Sequence, residues 1–244
     1  MSGRLENKVC VITGAGGGMG EEAARVFTAE GARVVVADVD GGAASRVAGE
    51  VDGLAVQVDV SDEDSVTAMY EVAARELGGI DVLYNNAGIS PADDDSILDT
   101  SLEAWERVQA VNTRGVYLCC KHGIPHLLER GGGSVINVAS FVALVGAATS
   151  QISYTASKGA VLSLSKELGV QFARQGVRVN ALCPGPVETP LLLRIWSETP
   201  GAAERRLVHV PMGRMAKPRE IVNAALFLAS DESSYVNAAT FVVD

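Results

Sequence analysis

The sequence predicts one α/β domain over residues 1–244, built on a doubly wound parallel sheet with helices on both faces. Two observations lead to this fold class. Short apolar, β-branched segments such as Val9–Ile12 alternate along the chain with segments of helical periodicity. The first of these runs directly into a glycine-rich turn, Thr13–Gly20, and a helical pattern follows from about Glu21 to Glu30. In such sheets ligands bind beyond the carboxyl ends of the strands, so the loops after the strands are expected to carry the function.

Charge and composition exclude several classes of protein. A net charge of -10 opposes a broad nucleic-acid or anionic-membrane surface, which needs clustered Lys and Arg. The first residues contain no apolar core of signal length, and no apolar segment is long enough to span a bilayer. Four cysteines without metal-ligand spacing are expected to be reduced core residues of a cytoplasmic protein.

The glycine-rich turn predicts a phosphate site. Glycines let the backbone turn tightly and let a pyrophosphate approach the main chain, while the helix N-terminus offers unpaired N–H groups. Because a strand precedes the turn and a helix follows it, a dinucleotide cofactor is indicated. Gly14, Gly18, Met19 and Gly20 are the candidate residues.

Two further strands are predicted at Arg33–Asp38 and Leu54–Asp59. Asp38 ends the first of them, where dinucleotide folds place the acid that accepts hydrogen bonds from the adenosine ribose. It could instead cap the next helix. Asp59, with Val60 beside it, is expected to face the adenine. Ser61 is expected to cap the helix after the third strand, with acidic residues in its first turn.

A fourth strand, Asp81–Asn85, runs into Asn86-Ala87-Gly88. The acidic run Asp93–Asp95 follows and is expected to be a solvated loop rim without a role. Residues 101–129 have helical periodicity around Asn112, with Trp105, Val108, Val111 and Leu118 as core positions. A buried Asn must be hydrogen-bonded, which suits either a functional or a structural residue.

His122 and His126 stand four residues apart in the same region. No third ligand is evident and Pro125 is expected to disturb the helix, so no metal site is predicted.

Tyr154 and Lys158 are the candidate catalytic pair. They begin a long helical pattern, and their spacing of four residues places an ammonium beside a phenol. A phenol ionises near pH 10, so acid–base work near neutrality requires about 4 kcal/mol in favour of the phenolate. One cation at ~4 Å supplies about that much at a near-surface dielectric. Ser153 is expected to cap this helix.

These motifs occur together in one order: Thr13-Gly14 through Gly20, Asn85-Asn86-Ala87-Gly88, Asn112, Ser140, Tyr154 with Lys158, and Pro184-Gly185. In this the whole chain resembles the short-chain dehydrogenase/reductase family. The resemblance implies a Rossmann-like domain that transfers hydride between a nicotinamide and a secondary alcohol or ketone.

The resemblance also implies individual roles. Tyr154 is the acid/base, Lys158 stabilises its phenolate and holds the nicotinamide ribose, Ser140 binds the substrate oxygen, and Asn112 supports a water-linked proton relay. The expected cofactor contacts are Gly14, Gly18, Met19, Gly20, Asp38, Asp59, Val60, Asn86, Ala87, Gly88, Tyr154, Lys158, Pro184, Gly185, Val187 and Thr189. Val187 and Thr189 are assigned to the nicotinamide carboxamide.

One departure from the family concerns the serine. Ser140 precedes Tyr154 by fourteen residues, one more than is usual, which indicates an insertion in the loop through residues 146–150. Ser150 is therefore a rival. A fifth strand, Ser134–Ala139, delivers Ser140, and a sixth, Val177–Leu182, precedes Pro184-Gly185.

The remaining residues bear on substrate and assembly. The same resemblance implies that residues 190–215 form a substrate lid. Its apolar first half, including Leu192 and Leu193, favours an apolar substrate, although these side chains could instead pack on the body of the fold. Pro218 begins a last helix and Ala239–Val243 forms a final strand. The family resemblance implies a homotetramer.

An NAD-dependent dehydrogenase or reductase is the leading hypothesis. NAD is preferred because Asp38 would oppose the 2'-phosphate of NADP, and Arg33, at the far end of the strand, lies too far away to help. The alternatives are a reductase of 3-oxoacyl thioesters on an acyl carrier protein and a dinucleotide-sensing regulator that does not turn over.

Overall fold

The computed structural model describes residues 3–190, 192–193, 201, 207–208 and 210–244. Within them the chain forms a seven-stranded, wholly parallel sheet in the order β3-β2-β1-β4-β5-β6-β7. The strands are β1 Val9–Thr13, β2 Arg33–Asp38, β3 Leu54–Gln57, β4 Val82–Asn85, β5 Gly133–Val138, β6 Val177–Pro184 and β7 Thr240–Val243. This sheet confirms the predicted fold class.

Helices alternate with these strands. They are α1 Gly18–Ala29, α2 Gly41–Val51, α3 Glu63–Leu77, α4 Leu102–Gln109, α5 Gly115–Glu129, α6 Val142–Val145, α7 Ile152–Phe172 and α8 Pro218–Ala229. Among the described residues, none of the helices is both long and apolar enough to cross a membrane.

Two apolar cores, one on each face, fix the helices to the sheet. Side chains alternate across a strand, so Ile12 packs on one face with α1, α2 and α8, whereas the neighbouring Val11 packs on the other with α3, α5 and α7. Phe27 and Leu226 belong to the first core and Tyr70 to the second. Because helices cover both faces of the sheet, the strand side chains on both faces are buried from solvent. This explains the unbroken apolar runs in the sequence.

Several predicted boundaries were wrong by a few residues. The helix α3 is capped by Asp62, whose carboxylate accepts from the Ser65 N–H at 2.8 Å, and Ser61 lies outside it. The glycine-rich turn is shorter than predicted because α1 already begins at Gly18.

The predicted helix over 101–129 is divided by a π-helical turn, Ala110–Arg114. The helix α5 then runs through Pro125 without a break, contrary to the prediction. The predicted core positions Val108 and Leu118 are buried, and Trp105 and Val111 are partly buried.

Candidate active site

The glycine-rich turn is packed so tightly that two of its glycines admit no side chain. Gly14 has φ +64°, and a Cβ there would lie 2.8 Å from the Ala87 Cα. A Cβ on Gly20 would lie 2.1 Å from the Gly14 carbonyl oxygen. At Gly17 a Cβ would meet nothing within 4 Å, so this position is open toward the cleft. The turn is a bare-backbone cradle at a helix N-terminus, which fits a pyrophosphate.

A cleft of about 630 Å³ opens above this cradle. Of the predicted cofactor contacts, it is lined by Gly14, Gly18, Met19, Asp38, Asp59, Val60, Asn86, Ala87, Gly88, Tyr154, Lys158 and Thr189. Gly20 is buried and packs beneath the cradle without lining the cleft. The residues present therefore fit a dinucleotide.

Asp38 is fixed by the cradle itself. One carboxylate oxygen accepts from the Gly16 N–H at 2.8 Å and the other from the Asp40 N–H at 3.0 Å. The cap of α2 is Asp40, which accepts from Gly42 and Ala43. Asp38 does not cap that helix, so its carboxylate remains at the edge of the cleft. Asp59 also lines the cleft and holds the Ser61 backbone and hydroxyl.

Arg46 is a residue of this region that the sequence did not reveal. Its guanidinium donates to the Gly16 carbonyl oxygen at 3.0 Å, and the N–H of the same glycine donates to Asp38. Arg46 is also paired with Glu21 at 3.1 Å and Glu50 at 3.0 Å. These hydrogen bonds raise the pKa of Arg46, and the bond from Arg46 is the main cause of the lowered pKa of Glu21. The cation is already engaged by two carboxylates.

The loop after β4 is joined to the cradle through Thr13 and Asn86. The Thr13 hydroxyl oxygen accepts from the N–H groups of Asn86 and Ala87, each at 3.2 Å. The Asn86 side chain donates to the carbonyl oxygens of Thr13 at 3.0 Å and Gly14 at 3.1 Å. Since Thr13 and Asn85 are paired in adjacent parallel strands, this contact follows directly from the sheet order.

Lys158 lies under the ring of Tyr154. Its Nζ is 5.5 Å from the ring centroid and donates to the Val138 carbonyl oxygen at 2.8 Å. Only 3% of Lys158 is exposed, and this burial lowers its pKa to about 8. A desolvated cation beside a phenol favours the phenolate more strongly than an exposed one. The predicted pairing on one helix face is thus present.

Asn112 lies in the π-helical turn and is fully buried. Its side-chain oxygen accepts from the Ile89 N–H at 2.8 Å, and its amide donates to the Ile89 carbonyl oxygen at 2.9 Å and the Ser157 hydroxyl at 3.1 Å. These contacts establish a structural clamp between the loop after β4 and α7. A Cβ on Gly88 would lie 3.3 Å from the Asn112 oxygen and 3.4 Å from the Lys158 Nζ, so the three residues meet at one point.

A second cavity, of about 710 Å³, adjoins the cleft at Tyr154. Ser140 lines it from the end of β5, only 6% exposed, and its hydroxyl accepts weakly from the Val142 N–H at 3.4 Å. Ser150 is exposed and does not line this cavity. Tyr154 and Ser140 therefore share one chamber despite the longer loop between them.

The end of β6 and the segment that follows it close the other side of this cavity. Pro184, Gly185 and Val187 line the cavity, and Thr189 borders both it and the cleft. Within the described part of the lid, Leu192 and Val210 also line it. Residues 191, 194–200, 202–206 and 209 of the predicted lid lie outside the described residues.

Ser153 does not cap α7 as predicted. The helix begins at Ile152, and Ser153 is buried in its first turn with its hydroxyl donating to the Trp105 carbonyl oxygen at 3.2 Å. Its N–H and that of Tyr154 are instead accepted by Asp94, each at 2.8 Å. The interpretation of Asp93–Asp95 as a solvated rim was therefore wrong for the middle residue.

The two histidines make contacts of another kind. His122 is 2.9 Å from a Glu63 carboxylate oxygen and 3.3 Å from the Thr67 hydroxyl. His126 stacks near Tyr70, with ring centroids 6.1 Å apart. In the ranges that the structure describes, no group of three or more His, Cys, Asp and Glu side chains is arranged to hold a metal.

The family model described as enoyl-(acyl carrier protein) reductase matches residues 14–244. Meso-2,3-butanediol dehydrogenase of Serratia marcescens is 42% identical over 244 residues, covering 99% of this chain and 94% of that protein. A 3-oxoacyl-(acyl-carrier-protein) reductase of Thermotoga maritima is 37% identical, over 99% of this chain and 98% of that one.

A solved structure is similar throughout. The 3-ketoacyl-(acyl-carrier-protein) reductase from Brucella melitensis, complexed with NADH, superposes with a TM-score of 0.91 at 39% identity and covers 98% of each chain. The similarity therefore extends over both the cleft and the second cavity.

Proposed function

Since this chain belongs to the short-chain dehydrogenase/reductase family and is an oxidoreductase of alcohols and ketones, we propose that it is an NAD-dependent enzyme whose acid/base is Tyr154. One observation carries the proposal. The buried Lys158 lies 5.5 Å from the ring centroid of Tyr154, where the cofactor cleft meets a second cavity lined by Ser140.

Each of these side chains has a separate task. In oxidation Tyr154, as phenolate, takes the proton of the substrate hydroxyl while the carbinol carbon loses hydride, and in reduction the phenol returns the proton. Ser140 hydrogen-bonds the same substrate oxygen and keeps it within reach of the phenol. Lys158 stabilises the phenolate electrostatically. A bound nicotinamide supplies the hydride acceptor or donor.

The further cofactor roles follow the same plan. The cradle of Gly14, Gly18 and Met19 holds the pyrophosphate, Asn86, Ala87 and Gly88 border the cofactor's path, and Lys158 also holds the nicotinamide ribose. These assignments are supported by the lining of the cleft. Val187 and Thr189 meet the carboxamide, and Pro184 and Gly185 shape the same corner.

NAD is the proposed cofactor because Asp38 presents a carboxylate at the edge of the cleft. A carboxylate accepts hydrogen bonds from a ribose and repels a 2'-phosphate. The nearby Arg46 is engaged by Glu21 and Glu50, which supports the same choice. The substrate is a small alcohol or ketone, and the apolar Val142, Leu192 and Val210 in the second cavity favour an apolar one.

Reduction of 3-oxoacyl thioesters is the second candidate, because relatives named for that activity match nearly the whole chain. A dinucleotide sensor without turnover is a third. The sensor hypothesis offers no reason for a buried lysine beside a tyrosine.

The assembly and location are proposed together. A homotetramer is supported by a groove of about 950 Å³ on α4, α5 and α7, where Trp105, Tyr117 and Leu164 present apolar surface. A cytoplasmic location suits the four cysteines, which are buried and unpaired. Light scattering after size-exclusion chromatography measures the assembly.

The test of the function is a panel of secondary alcohols, ketones and 3-oxoacyl thioesters with NAD(H) and NADP(H), monitored by absorbance of the reduced nicotinamide. We expect turnover with simple alcohols and ketones and with NAD. Turnover restricted to thioesters would establish the second candidate, and tight NADH binding without turnover of any member would favour the sensor.

A further inference from the structure

Three consecutive aspartates precede α4, and they point in different directions. Asp93 is exposed and paired with Arg107 at 2.6 Å, and Asp95 is exposed. Asp94 is 5% exposed and turned inward. Its two carboxylate oxygens accept separately from the N–H groups of Ser153 at 2.8 Å and Tyr154 at 2.8 Å. A carboxylate from the loop after β4 therefore holds the catalytic residue by its own backbone.

This contact replaces the usual helix cap. The residue before α7, Gln151, makes no side-chain cap hydrogen bond. The Ile152 N–H is accepted by the Asp95 backbone carbonyl at 3.1 Å, so three successive N–H groups of the first turn are satisfied by two loop residues. Free N–H groups at a helix N-terminus favour an anion, and the orphan donors cost free energy when buried without a partner.

The same loop is fixed at its other end. Ile89 is held by Asn112 through both its N–H and its carbonyl oxygen, at 2.8 and 2.9 Å. On the far side of Ser153, Gln109 donates to its carbonyl oxygen at 3.0 Å. The loop between Ile89 and Asp94 is thus anchored at both ends. Through its two hydrogen bonds, Asp94 joins this anchored loop to the first turn of α7, which carries Tyr154.

We propose that Asp94 is a positioning residue for catalysis, which fixes the first turn of α7 so that the Tyr154 phenol stays aligned with a substrate oxygen in the adjoining cavity. The inference rests on the proposed role of Tyr154. A displacement of about 1 Å in a reacting group lowers the rate on the order of a hundredfold. Two hydrogen bonds that fix the backbone at the acid/base therefore help to maintain the rate of the chemical step.

Asp94→Asn tests the restraint with little change of volume. An amide keeps one acceptor oxygen and turns a donor toward the second N–H group, so one of the two bonds is lost. We expect kcat to fall by about tenfold to a hundredfold, with Kd for NADH within about twofold of the wild type. Asp93→Asn and Asp95→Asn are matched controls, because Asp93 faces Arg107 and Asp95 acts through its backbone carbonyl.

The result that overturns the proposal is an unchanged kcat in Asp94→Asn, or an equal loss in the Asp93 control. A parallel fall in NADH affinity would also overturn the proposal, because it would indicate general damage to the fold and not a specific loss of alignment at Tyr154. Asp94→Ser, which keeps one acceptor, is the second variant if Asp94→Asn does not fold.

Amide hydrogen exchange of the wild type gives a reading that needs neither turnover nor a variant. Protection of the Ser153 and Tyr154 amides is expected, and exchange at the rate of a free amide at both would overturn the clamp. If the wild type oxidises no alcohol, the proposed function fails while the exchange measurement still decides on the clamp.

Discussion

The Nζ of Lys158 lies 5.5 Å from the centroid of the Tyr154 ring while it donates to the Val138 carbonyl oxygen. This hydrogen bond to the last residue of β5 fixes the position of the ammonium relative to the Tyr154 ring. This geometry supports the proposal that Tyr154 transfers the proton and Lys158 stabilises the phenolate electrostatically.

Tyr154→Phe is expected to lower kcat by about a thousandfold and to leave NADH binding nearly intact. The change removes the ionisable oxygen and little volume. Turnover is followed by nicotinamide absorbance and NADH binding by fluorescence titration. Tyr235→Phe is the control, because Tyr235 is fully exposed and lines neither cavity. Oxidation at the wild-type rate by Tyr154→Phe would refute the assignment.

The buried Lys158 makes stability depend on pH. Its pKa is 10.5 in the unfolded reference and about 8 in the fold. Below pH 8 the lysine is charged in both states and the fold carries the full burial cost. Between about pH 8 and 10.5 the unfolded chain binds the extra proton, so stability rises with pH by up to about 3 kcal/mol.

Lys158→Met removes this titration. Urea unfolding of both cofactor-free proteins is measured at about pH 7.5 and about pH 10, which lie below and above the pKa of Lys158 in the fold. Between these two pH values, the free energy of unfolding of the wild type should rise relative to that of Lys158→Met. Titrating groups that do not interact with Lys158 cancel in the difference between the two proteins. A difference that is constant or moves in the opposite direction would show that the lysine is not desolvated.

Ser140→Ala is expected to lower kcat by about a hundredfold, because it removes a hydrogen bond to the substrate oxygen. Ser150→Ala should stay within about twofold of the wild type, since Ser150 is exposed outside the cavity. Steady-state kinetics on one substrate compares them. The reverse order of effects would place the substrate oxygen at the other end of the loop.

Gly14→Ala is expected to destabilise the fold by at least about 2 kcal/mol, from the positive φ together with the contact to Ala87. Gly17→Ala should change stability by less than about 0.5 kcal/mol, because Gly17 has extended backbone angles and open space around a Cβ. Urea midpoints measure both. Equal effects would contradict the packing described for the cradle.

The carboxylate of Asp38 is expected to set the cofactor preference. Two unit anions at ~4 Å repel by ~4 kcal/mol at a dielectric near 20, so we expect NAD to be preferred over NADP by about a hundredfold in kcat/KM, which corresponds to ~2.7 kcal/mol. Asp38→Ser with Val39→Arg should narrow the gap. Arg46→Gln is the control and should not narrow it, because Glu21 and Glu50 already engage this arginine. Equal use of both cofactors by the wild type would refute the role of Asp38.

The sequence was informative wherever a feature is local. Buried parallel strands carry apolar runs, the cradle needs glycines between a strand and a helix, and Tyr154 with Lys158 share a helix face because they are four residues apart. The fold class and these motifs therefore followed from short patterns.

The features that the sequence did not reveal depend on distant residues. Asp94 reaches Ser153 across 59 positions and Tyr154 across 60, and Arg46 reaches Gly16 across 30. A run of three aspartates looks like a solvated rim because no local signal tells which of them turns inward. For the same reason Ser153 was a reasonable cap from its neighbours alone, although a carboxylate from another loop performs that function.

The position of β1 between β2 and β4, inside the sheet, has a consequence for the order in which the chain folds. The strand β1 pairs with β2 on one side and with β4 on the other, and the Val9 N–H is accepted at 2.8 Å by Asp81, 72 residues later. At roughly 5–20 residues per second, a ribosome takes about 4 to 15 s to make that interval. During this time the β4 side of β1 is an unpaired, apolar edge that can pair with another chain. A nascent chain that stalls before residue 82 therefore still exposes this edge of β1.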